Sequence, residues 1–170
     1  MPYQFENRNR LTEAQMIEHA EVVFRQNWKA LLSRLILALI LLLCGGYILN
    51  FDPFLCTITL IVFAVSATIA FPTPQKEGSR AYQALLEYYD SSAPATRVLF
   101  GDKIVIESPD QTRVLEYQKI QRVVATKSAY IIYDKKPSFI VLDPNGFTEG
   151  TFEEFKGFLK NKCPHLDIPQ

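Results

Sequence analysis

The sequence predicts an α+β protein: a two-helix transmembrane hairpin, then a small antiparallel β domain capped by a C-terminal helix. Three observations predict this. No charged residue falls between Leu35 and Phe51, or between Pro53 and Gln75. Beyond Thr96 the apolar residues change to a spacing of two, as strands require. Thr151-Phe152-Glu153-Glu154 then reads as a capping box that opens an amphipathic helix.

The N-terminal segment, residues 1–30, begins with a polar, extended stretch, Met1–Arg10. Leu11–Ala30 reads as a helix with Thr12 as N-cap and Gln15 as its capping-box partner. Its acids (Glu13, Glu18, Glu21) come early and its bases (Arg25, Lys29) late, as the helix dipole prefers. Thirty mostly polar residues before the first apolar run argue against a cleaved secretory signal.

Residues 31–74 are expected to form the hairpin. Leu31–Phe51 is the first span, with Arg34 one turn inside and able to snorkel. Asn50–Pro53 is the turn, and Phe54–Phe71 is the second span. Basic residues flank the pair at Arg25, Lys29, Lys76 and Arg80 but are missing from the turn. The positive-inside rule then predicts a multi-pass protein of the bacterial cell membrane with both termini in the cytoplasm.

Residues 75–96 are read as a juxtamembrane helix (Ser79–Tyr89) and linker. In 97–170 the expected strands are Val98–Phe100, Lys103–Glu107, Arg113–Tyr117, Ile120–Thr126, Tyr130–Asp134 and Ser138–Leu142. In the last helix Phe152, Phe155, Phe158 and Leu159 share a face, and Pro164 stops it. One helix can cover the open end of a small curved sheet.

Composition narrows the function. Formal net charge is zero, which argues against nucleic acid as a partner. The three cysteines, Cys44, Cys56 and Cys163, form no C-x-x-C pair; two read as small apolar residues and Cys163 as a surface thiol. His19 and His165 are far apart and read as solvent-exposed. Phosphate-binding glycine loops and H-E-x-x-H are absent from the sequence, so it predicts no cofactor, no metal and no enzyme. Basic turns offer another chemistry: Lys127, Lys135 and Lys136 are the candidate contacts for anionic lipid headgroups.

Several motifs carry a family resemblance. They are Phe100-Gly101-Asp102-Lys103-Ile104, Tyr117-x-x-Ile120-x-x-Val123, Ser128-Ala129-Tyr130-Ile131-Ile132-Tyr133, and the tail Phe147-Thr148-x-Gly150-x-x-Glu153-Glu154-Phe155-x-x-Phe158-Leu159. The chain resembles the YcxB-like family of bacterial membrane proteins, whose C-terminal domain is similar to pleckstrin-homology-like domains. Leu142-Asp143-Pro144-Asn145 keeps the proline of the family's Ile-Pro-Lys-like step and lacks its lysine. The resemblance in fold, together with the lack of a catalytic set in the sequence, leads to the expectation of a membrane-anchored, pleckstrin-homology-like interaction domain that binds a protein partner or lipid. The alternative is one subunit of an oligomeric channel or transporter, with Arg34, Thr57 and Thr68 as its polar intramembrane groups.

Overall fold

The computed structural model describes residues 3–48, 53–70, 73–90, 92–135 and 138–169. The chain divides into two units: Met1–His19 with Gly78–Gln170, and Ala20–Glu77.

The first unit is built on two antiparallel sheets. One has five strands, in the order β4 (Gln111–Leu115), β3 (Ile104–Ser108), β2 (Ala95–Phe100), β1 (Phe5–Arg10), β8 (Phe147–Glu149). The other has three, in the order β5 (Ile120–Ala125), β6 (Tyr130–Asp134), β7 (Phe139–Leu142). Helix α4 (Phe152–Lys162) follows β8, and its capping box is formed. The six strands expected from the period-two pattern are all present. Two more were not expected.

The first of these is β1. Residues read as a polar, extended stretch outside the sheet form a strand hydrogen-bonded between β2 and β8. Its sequence, Phe-Glu-Asn-Arg-Asn-Arg, alternates faces, but two of its three inward positions are asparagines. Asn7 Nδ2 donates to the Asp143 carbonyl at 2.7 Å, and Asn9 Nδ2 to the Val141 carbonyl at 3.2 Å. These carbonyls belong to β7 and the residue after it, so the two side chains satisfy polar groups along an edge of the smaller sheet. The second is β8, only three residues long and too short to carry a periodic signal.

The core between sheets and helix is aromatic at its centre. Phe155 of α4 is fully buried, with ring centroids 4.5 Å from Phe100, 5.1 Å from Phe147 and 5.7 Å from Phe5. Gly150 precedes the helix with φ of 72°, a conformation that suits glycine. Cys163, expected at the surface, is fully buried at the end of α4, with Sγ 3.7 Å from the Tyr117 carbonyl.

Helix α1 (Glu13–Ile48) begins in this unit. Thr12 and Gln15 form the expected reciprocal cap: Thr12 N–H donates to Gln15 Oε1 at 3.1 Å, and Gln15 N–H to Thr12 Oγ1 at 3.3 Å. One turn on, the Glu18 carboxylate accepts from the Ser128 N–H and hydroxyl, tying the helix start to the β5–β6 turn. Helix α3 (Pro74–Tyr88) passes very close to it: a Cβ on buried Gly78 would lie 2.5 Å from Ile17 Cα.

The second unit contains the rest of α1 and α2 (Pro53–Ala70), which Pro53 opens as expected. The transmembrane hairpin predicted for 31–74 is corrected here. Among the described residues, no helix is long and apolar enough to cross a membrane. The apolar run of α1 is continuous with a helix that carries Glu13, Glu18, Glu21, Arg25, Lys29 and Arg34. At 1.5 Å per residue the 18 residues of α2 reach about 27 Å, short of the ~30 Å of hydrocarbon in a bilayer. The expected turn at Asn50–Asp52 and the side chains of Arg34, Cys44, Cys56 and Thr68 lie outside the described residues.

Candidate functional site

The first unit contains an open groove of about 240 Å³ between the mouth of the larger sheet and the β7 strand. Strand geometry decides which side chains reach it. In the two-residue hairpin that joins β3 to β4, Ser108 pairs with Gln111 and Ile106 with Arg113. Gln111 and Arg113 therefore share the face of buried Leu115, which is the inward face. Deeper on that face lies Ile106; Phe139, Ile140 and Val141 form the opposite wall. Asn9 and Leu11 close the groove from the N-terminal side, and Leu85, Tyr89 and Pro94 from the side of α3.

Among the described residues, two titratable side chains line this groove, Tyr89 and Arg113. The Tyr89 hydroxyl donates to the Asp110 carboxylate on the β3–β4 turn, and that bond pushes its pKa up to about 12. The groove can hold a molecule by shape, apolar contact and one positive charge. Among the described residues its lining has no carboxylate, imidazole or thiol.

A second cluster sits where α1 meets the smaller sheet. His19 Nδ1 is 3.0 Å from the Tyr133 hydroxyl, and its ring stacks on Phe139 at 3.8 Å. The Arg122 guanidinium lies 4.4 Å from the Tyr133 ring centre. Burial, and then the nearby Arg122 charge, hold His19 below its ordinary pKa. The sequence reading of His19 as solvent-exposed is corrected: it is half-buried, because its face of α1 rests on β6 and β7. His165 is exposed, as expected. Among the described residues, no group of three His, Cys, Asp or Glu side chains could hold a metal ion.

The candidate headgroup lysines do not converge. Lys127 lies in the β5–β6 turn and Lys135 just after β6, both exposed. The five residues of β6 separate them by about 16 Å at ~3.3 Å per residue. Lys136 lies outside the described residues. Lys135 instead neighbours Lys119, whose carbonyl accepts its N–H at 3.0 Å, and Lys119 shares Glu116 with Lys103. That adjacency joins residues from three separate turns, and no local sequence signal marks it.

The matched part of the chain runs from the end of β2 to α4. Residues 99–159 match the YcxB-like protein family. The resemblance read from the sequence holds over this stretch. No curated protein and no solved structure matches the chain. The YcxB-like segment supplies Ile106, Arg113 and the β7 wall of the groove, whereas Asn9, Leu11, Leu85 and Tyr89 come from outside it. The groove is thus completed by parts of the chain that the family match does not cover.

Proposed function

We propose that this protein is a non-enzymatic interaction protein whose pleckstrin-homology-like β domain recognises a partner through the groove beside β7. The observation that carries this reading is the groove's lining. It pairs an apolar floor with a few placed polar groups, the general character of a binding site, and among the described residues it holds no carboxylate, imidazole or thiol. Two small antiparallel sheets closed by a C-terminal helix are compatible with a pleckstrin-homology-like arrangement.

We further propose that the protein works at the cytoplasmic face of the cell membrane, attached rather than spanning. Support comes from the second unit. Leu32, Ile36, Leu37, Ile40 and Leu43 of α1 and Ile58, Ile61, Val62 and Val65 of α2 are each between 42% and 58% exposed. Large exposed apolar patches mark sites of protein or membrane contact.

Capture of the tagged full chain from native cells after mild crosslinking tests both parts. The expected result is a crosslinked partner mapping to Ile106, Arg113 or Phe139, in material that floats with membranes. Turnover of a substrate by the purified chain, with nothing crosslinked to the groove, would overturn the reading.

A further inference from the structure

We infer that the groove is a site for a small amphipathic carboxylate, a short-chain acid with an apolar body. This rests on the reading of the groove as the recognition site and names its ligand class.

Arg113 is the observation that leads there. Among the described residues four lysine and arginine side chains are half-buried: Arg97, Arg113, Arg122 and Lys156. Three have a partner. Arg97 Nη2 is 2.6 Å from Glu6, Lys156 is 2.8 Å from Glu153, and Arg122 lies over the Tyr133 ring. Arg113 has neither a carboxylate nor a ring among the described residues, although it lines the one charged point of the groove. The nearby turn carboxylate of Asp110 is engaged by Tyr89. A guanidinium partly withdrawn from water gains most from an anion that arrives with a planar, two-oxygen face, as a carboxylate does.

The rest of the lining sets the body of that anion. Ile106, Phe139 and Ile140 offer an apolar floor, and Leu11 and Leu85 border it. Ser108 and Gln111 at the mouth supply further donors beside Arg113. At about 240 Å³ the groove lies at the small end of ligand pockets, which run to ~300–1,000 Å³. A short acid such as a six-carbon one suits a groove of that size.

The test uses the full isotope-labelled chain titrated with sodium hexanoate, with hexanamide as the uncharged control. Shifts confined to Ile106, Arg113 and Phe139, with the acid binding at least tenfold tighter than the amide, are expected. Arg113→Gln should abolish that preference while leaving the spectrum of the remaining residues unchanged. Equal binding of acid and amide, or shifts away from the groove, would overturn the proposal. So would a peptide ending in leucine that binds tenfold tighter than hexanoate, since it would assign the site to a protein C-terminus. If hexanoate fails while crosslinking to Arg113 persists, the ligand class falls and the recognition site stands.

Discussion

Asn7 offers the most discriminating perturbation of the fold. It is fully buried, its Nδ2 donates to the Asp143 carbonyl at 2.7 Å, and its Oδ1 has no partner. Asn7→Asp keeps the shape but turns the donor into an acceptor facing a carbonyl. At pH 8 the new carboxylate is a buried, unpaired charge, which costs about 3–5 kcal/mol. Protonated, it regains one O–H donor and can restore the bond to Asp143, leaving a cost of about 1 kcal/mol or less. The sign follows from linkage. Burial raises the folded-state pKa above the unfolded value, so the variant is least affected below about pH 4 and loses stability as pH rises. Urea unfolding followed by tyrosine near-ultraviolet circular dichroism at pH 3.5 and pH 8, each compared with the wild type at the same pH, reads both limits. A loss under about 1 kcal/mol at pH 8, or one that does not change with pH, would refute the burial of Asn7 against β7.

Wild-type acid sensitivity should centre on Glu6. Its carboxylate accepts from Arg97 and from Arg8, each at 2.6 Å, and these bonds, Arg97 first, lower its pKa to about 2. The stabilisation is present above about pH 4.5 and lost as pH falls toward 2; Glu6→Gln should flatten stability across that window, as acid titration of the unfolding midpoint would show. Phe155→Ala removes the ring at the centre of the core and should cost about 3–5 kcal/mol by denaturant unfolding; a cost under about 2 kcal/mol would contradict its packing among Phe5, Phe100 and Phe147.

Much of this fold was legible because its signals are local. Strands β2 to β7 follow period-two patterns, and Thr12 with Gln15 and Thr151 with Glu154 mark their helix starts by spacing alone. Strand β1 escaped because two of its three inward residues, Asn7 and Asn9, face carbonyls rather than apolar neighbours, which leaves Phe5 alone and no hydrophobic period to find. Composition favoured a membrane hairpin in 31–74, but length and the charges along α1 count against it. The groove could not be read at all. Asn9, Leu85, Arg113 and Phe139 are scattered over more than a hundred positions, and strand pairing brings them together. For the same reason Arg113 gave no sign of differing from the other basic residues until its neighbours were known.

The N-terminal strand ties the two sheets together and carries Asn9 to the groove. Amide hydrogen exchange of the full chain measures this directly. Protection of the Asn7, Arg8 and Asn9 amides comparable to that of Val98 and Leu99 is predicted for a strand held between β2 and β8. Exchange of residues 5–10 at the rate of an unstructured peptide would contradict it.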